Sequence, residues 1–139
     1  MNTKPAPSFT LMASTRGAFG ANFVFENQDD FINWISTKYP EIRKKYGNID
    51  IRLSSIDPLN VGDTCFVAGE GSDQFVIQGW RKIEDNRYSF ALDNGCWEEV
   101  AKCFKQWSRP TLPQSMKIKA HKLGFSTVKM QENYISFEN

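Results

Sequence analysis

Apolar and polar residues alternate in short runs along most of the chain, and the period changes at few places. Residues 8–14 and 21–26 read as two strands joined by Thr15-Arg16-Gly17-Ala18-Phe19-Gly20, whose glycines permit positive φ in a hairpin connection. Phe23 and Phe25 share one face of the second strand, with Val24 and Glu26 opposite, so at least one side is expected to be buried. At Asn27 the period lengthens. Asn27 stands three residues ahead of Asp30 as a helix cap, and Phe31, Trp34, Ile35 and Lys38 follow at helical spacing. Pro40 interrupts this helix at Tyr39 and opens a second turn over Glu41 to Tyr46, which Gly47 stops. Ile49-Asp50-Ile51-Arg52-Leu53 alternates again as a third strand.

Asp57-Pro58-Leu59-Asn60 marks a boundary, because the residue before proline is held extended and Pro and Asn break pairing. A β unit follows: Val61-Gly62-Asp63 leads into Thr64-Cys65-Phe66-Val67, then a loop at Gly69-Glu70-Gly71-Ser72-Asp73 and the strand Phe75-Val76-Ile77. After the turn Glu84-Asp85-Asn86 comes Tyr88-Ser89-Phe90-Ala91-Leu92, with Tyr88, Phe90 and Leu92 on one face, closed by Asp93-Asn94-Gly95. Residues 96–107 fit two patterns. The Asn-Gly turn favours a returning strand from Cys96 to about Val100, whereas Trp97, Val100, Ala101 and Phe104 also lie at helical spacing and Glu98 to Lys102 is an i,i+4 pair.

This order of a Val-Gly-Asp entry, an apolar strand ending in Gly, a loop, a Phe-Val-Ile strand and a strand closing on Asp93-Asn94-Gly95-Cys96-Trp97 resembles the small SH3-like barrel of Tudor and KOW modules, over about residues 59–103. The resemblance implies a ligand met by aromatic side chains near the loops, and it implies no chemistry.

Arg109-Pro110-Thr111-Leu112-Pro113 reads as a linker. Met116, Ala120 and Leu123 at i, i+4, i+7, with Gly124 as a cap, predict a helix over 113–123, and Phe125 to Met130 with Tyr134 to Phe137 a final hairpin. The expected fold is α+β: a loose tail over 1–7, an N-terminal β-β-α-β unit over 8–56, a central SH3-like antiparallel barrel over 57–108, and a C-terminal helix plus hairpin over 109–139. The last three could also form one compact domain.

An apolar fraction of 40% with 14% aromatic residues places the chain among folded globular proteins. With 17 basic and 16 acidic residues, the net charge of +1 gives no general attraction for nucleic acid or an anionic membrane. The charge is uneven along the chain. Residues 101–139 hold seven Lys or Arg against two acidic residues, and the first hundred hold ten against fourteen. This basic third reads as a solvated helix face or as a surface for an acidic partner or polyanion. No apolar stretch has the length of a membrane span. Cys65, Cys96 and Cys103 form no CxxC pair and, with one histidine, no four-ligand zinc spacing, so neither metal nor cofactor is expected. Their odd number, with no apolar N-terminal signal, suggests a reducing, cytoplasmic setting with the thiols as small core residues.

Candidate chemistry is sparse. His121 sits on the basic C-terminal segment with no Ser or Cys nearby in sequence and reads as a surface residue. Glu70, Asp73, Asp93, Glu98 and Glu99 lie in turns or at strand ends, where carboxylates are solvated. Gly69-Glu70-Gly71 lacks the following Lys-Ser/Thr of a phosphate loop and carries acidic residues that repel phosphate. Trp80 stands out: strict alternation from Phe75 puts it opposite Ile77, exposed and flanked by Arg81 and Lys82, with the Glu70 to Asp73 loop as a rim. The expected function is therefore a non-catalytic adaptor or inhibitor that binds a protein partner through Trp80, Arg81, Lys82, Glu70 and Asp73. The alternative is nucleic-acid binding, with Lys117, Lys119 and Lys122 on phosphates and Trp107 stacking on bases. A small enzyme with an unrecognised site is a second alternative.

Overall fold

The computed structural model describes residues 2–139. In chain order these residues form β1 (Leu11–Arg16), β2 (Asn22–Phe25), α1 (Gln28–Thr37), α2 (Tyr39–Tyr46), β3 (Asp50–Ser55), β4 (Thr64–Val67), β5 (Phe75–Glu84), β6 (Arg87–Leu92), β7 (Trp97–Glu99), β8 (Cys103–Phe104), β9 (Thr127–Met130) and β10 (Tyr134–Glu138). The mixed α+β class is as expected from the sequence. The Asn27 side chain accepts from the Asp30 amide at 2.9 Å and so starts α1, and Pro40 sits in the first turn of α2.

The strands make two antiparallel five-stranded sheets, ordered β2-β1-β3-β10-β9 and β7-β6-β5-β4-β8. The C-terminal hairpin thus completes the sheet begun by the N-terminal unit, with β10 paired to β3 from Tyr134↔Ser54 to Phe137↔Ile51. One face of this first sheet, carrying Ala13, Phe25, Ile51, Leu53, Ile135 and Phe137, packs under Phe31, Trp34, Ile35 and Tyr39 of the helical layer. The other face sends Met12 and Val24 into a second core with Cys65, Val67, Ile77, Phe90 and Leu92 of the second sheet. Strand alternation therefore assigns each face of the first sheet to a different neighbour. Among the described residues no helix is long and apolar enough to cross a membrane.

Three local expectations change, and one open choice is decided. The segment 113–123 is not a helix: only Ala120–Leu123 makes a 3-10 turn, closed by Gly124 at φ 87°. A spacing of four is two strand repeats as well as about one helical turn. Met116, Ile118 and Ala120 use the two-residue period to face the first core, with Lys117 and Lys119 pointing away. Of the two patterns over 96–107, the strand is realised at Trp97–Glu99, and the helical spacing shrinks to a 3-10 turn at Val100–Lys102 before β8.

The N-terminal residues are tied down rather than loose. Asn2 and Trp80 exchange backbone hydrogen bonds at 2.9 and 2.8 Å, the Ala6 amide donates to Asn60 Oδ1 at 2.8 Å, and Ala6 is buried. The third change is at Trp80 itself. Ile77 pairs with Leu92, but Gly79 pairs with Ala91, so β5 carries one extra residue, a β-bulge at Gln78. The bulge flips the parity from Gly79 to Lys82, where a second register shift follows before Glu84. Trp80 pairs with Phe90, comes to the core side, and packs half-buried against Tyr88 with ring centroids 6.0 Å apart.

Candidate functional site: a cationic, aromatic groove beside the first sheet

The residues singled out around Trp80 do not meet. The indole Nε1 donates to the Lys4 carbonyl at 2.8 Å beside the N-terminal segment, so its N–H is already engaged within the chain and the ring is half-buried. Arg81, on the opposite face, lies 4.1 Å over the Trp97 ring, and the Lys82 ammonium pairs with Asp85 at 2.8 Å. Glu70 and Asp73 are exposed in the loop at the far end of β5, several residues along the strand from Trp80. The nucleic-acid set is divided as well. Lys117, Lys119 and Lys122 ride on a segment whose Ile118, Ala120 and Leu123 pack on the helical side of the first sheet, and Trp107 stands on its other side. His121 is exposed in the 3-10 turn, Glu99 is engaged by Arg87, and Asp93 accepts from the Val76 amide.

Trp107 is the most exposed large apolar side chain among the described residues, at 64%. Its position follows from β8. The two residues of that strand pair with β4 as Cys103↔Val67 and Phe104↔Phe66, so the cysteine points into the second core and both phenylalanines point outward. Phe66 and Phe104 stack at 5.5 Å, and Trp107 leans on them at 4.8 and 5.2 Å. An exposed indole is thus held by two other rings, which lowers the entropy lost when a ligand covers it.

Beside Trp107 lies a groove of about 380 Å³. Its floor is the part of the first sheet that the second sheet leaves uncovered, with Ser14, Arg52 and Ser54, its end is Tyr134, and its rim is Trp107 and Arg109. Register explains the floor. Ser14, Arg52, Ser136 and Lys129 stand in one row across β1, β3, β10 and β9, on the face opposite Ile51 and Leu53. The Arg52 guanidinium sits 4.2 Å over the Tyr134 ring, and its Nε is buried with no hydrogen-bond partner among the described residues. Arg109, fixed at the start of the linker by Pro110, donates from Nη2 to the Ala101 carbonyl at 3.4 Å. Burial holds the Arg109 guanidinium below its ordinary pKa.

No carboxylate lines this groove. Two cations in other depressions are matched: Arg87 engages Glu84 at 2.8 Å and Glu99, whose carboxylates push its pKa up, and Lys38 faces Asp85 at 3.9 Å. Lys129, at the end of the row, is paired with Glu138 at 3.2 Å. Among the described residues no group of three or more His, Cys, Asp and Glu side chains comes together as a metal cluster. Sequence reasoning reached Trp107 but missed Arg52, Tyr134 and the groove. Arg52 is legible only as the polar position between Ile51 and Leu53, and its neighbours come from opposite ends of the chain.

No family model matches this chain, and neither a curated protein nor a solved structure does.

Proposed function

We propose that this chain is a non-catalytic binding protein, an adaptor or inhibitor, that engages a segment of a second protein along the groove beside Trp107. The observation that carries this reading is Trp107 itself, 64% exposed and braced by Phe66 and Phe104 next to a concave, polar floor. Binding energy at protein interfaces concentrates in a few large side chains, with Trp and Arg prominent, set in a surface that excludes water around them. The second sheet is read as an SH3-like small barrel. Its order β7-β6-β5-β4-β8, in which the last strand returns to pair with the first, supports that reading. The partner surface lies at the end of this barrel where β8 runs into the linker.

Selection of displayed random peptides on the wild-type chain, with affinities then measured for wild type and Trp107→Ala, tests the reading. A recurrent peptide motif is expected, bound at least about 30-fold more weakly by the variant, as for a hot-spot tryptophan worth about 2 kcal/mol. The melting temperature should change little, because most of the ring is solvated. Motif peptides that bind both proteins equally would place the interface elsewhere. A wild-type chain that selects no peptide but retains single-stranded oligonucleotides at low salt would overturn protein binding in favour of nucleic acid.

A further inference from the structure

The groove's charge specifies its occupant. Resting on the protein-binding reading above, we infer that the partner segment is acidic, with an Asp or Glu carboxylate seated between Arg52 and Arg109 and a neighbouring apolar side chain against Trp107. Both guanidiniums are half-buried, and neither has a carboxylate within 4.0 Å among the described residues. Arg87, of similar burial, holds two carboxylates, and half-buried Arg43 is met instead by Asn48 Oδ1 and the Gly124 carbonyl. A partly desolvated cation without a counter-charge is unfavourable, and an incoming carboxylate relieves that condition while matching the guanidinium fork in two parallel hydrogen bonds.

The surroundings favour a carboxylate on a peptide over a polyphosphate chain. The groove offers two free cations and then stops, because Lys129 is already paired with Glu138 and the basic run Lys117 to Lys122 lies beyond the first sheet. A nucleic-acid backbone needs charge that continues along its path, whereas one or two acidic side chains are satisfied by two arginines. Arg52 is also prevented from swinging away. The ring of Tyr134 lies against its guanidinium, and the residue lines the groove. The hydroxyls of Ser14 and Ser54 on the floor offer further hydrogen bonds to an extended backbone.

The test uses the full chain and synthetic peptides carrying Trp or Leu with Glu or Asp at each flanking position, beside matched peptides with Gln or Asn, with phosphoserine, and a single-stranded oligonucleotide. Affinity is measured for wild type, Arg52→Met, Arg109→Met and Arg52→Lys, with thermal melting as the folding control. Wild type should prefer at least one acidic peptide over its amide counterpart by at least about tenfold, as expected for a charge-assisted pair. Each Met variant should shrink that preference to within about threefold, with Arg52→Lys in between because it keeps charge and loses the fork. If either Met variant fails to fold, Arg52→Lys and the salt dependence of the wild-type preference carry the same comparison. Trp107-dependent peptide binding that ignores acid versus amide overturns this inference and leaves the protein-binding reading standing. Phosphopeptides or the oligonucleotide bound ahead of every carboxylate peptide overturn the carboxylate assignment. Binding of no peptide overturns both.

Discussion

Replacing Trp80 with alanine should destabilise the protein by about 3 kcal/mol. The bulge at Gln78 turns this side chain toward Phe90 and Tyr88, and the N-terminal strand covers it through the Asn2 pairing and the Lys4 carbonyl. A fully buried aromatic removes about 150–250 Å² from water, and a half-buried indole truncated to alanine loses about 120 Å² of that, or about 3 kcal/mol at about 25 cal/mol per Å². The lost indole hydrogen bond adds at most about 1 kcal/mol, and less here because the site is solvent-accessible. For a chain of 139 residues the entropy of unfolding is about 0.3 kcal/mol/K, so the melting temperature should fall by about 10 °C. Calorimetry or far-UV circular dichroism on wild type, Trp80→Ala and Trp80→Phe gives the measurement. The Phe variant keeps a ring against Tyr88 and loses only the hydrogen bond to Lys4 and some area, so it should fall between the other two. A Trp80→Ala protein melting within about 2 °C of wild type would refute both the bulge-driven parity and the docking of the N-terminal strand.

Two further tests follow from the packing. Asn86 holds φ 63° in the two-residue turn between β5 and β6; its backbone carbonyl accepts from the Val24 amide at 2.8 Å and its side-chain Nδ2 donates to the Val24 carbonyl at 3.3 Å, so Asn86→Ala, which strains the positive φ and removes the Nδ2 bond, should cost about 1–2 kcal/mol in urea denaturation, with Asn86→Gly milder. An Ala variant as stable as wild type would show that neither the Nδ2 hydrogen bond nor the positive φ at this turn carries the expected energy. Cys96 is exposed, whereas Cys65 and Cys103 are buried, and the hydrogen bond with Cys65 together with burial pushes the Cys103 thiol up. A maleimide should therefore modify Cys96 alone in the native protein and all three thiols in denaturant, and fast native labelling of either buried cysteine would contradict the second core.

The sequence by itself determined the local elements, because their causes are local. The Asn27 cap, the break at Pro40, the stop at Gly47, the Asp85-Asn86 turn and the alternation of β3 and β6 each depend on residues a few positions apart. It also determined the mixed class and singled out Trp107, but not the outward Phe66 and Phe104 that brace it. What it could not decide were features whose causes are spread along the chain. The bulge at Gln78 is visible only in the pairing of β5 with β6, and a single inserted residue there reverses the side on which Trp80 stands. The spacing of Met116 and Ala120 satisfies two periods at once, and only the presence of the first core beneath the segment selected the extended one. The groove has the same origin. Ser14, Arg52, Arg109 and Tyr134 come from four distant stretches, and they share a surface because β10 returns to pair with β3 while the linker after β8 crosses the uncovered part of that sheet.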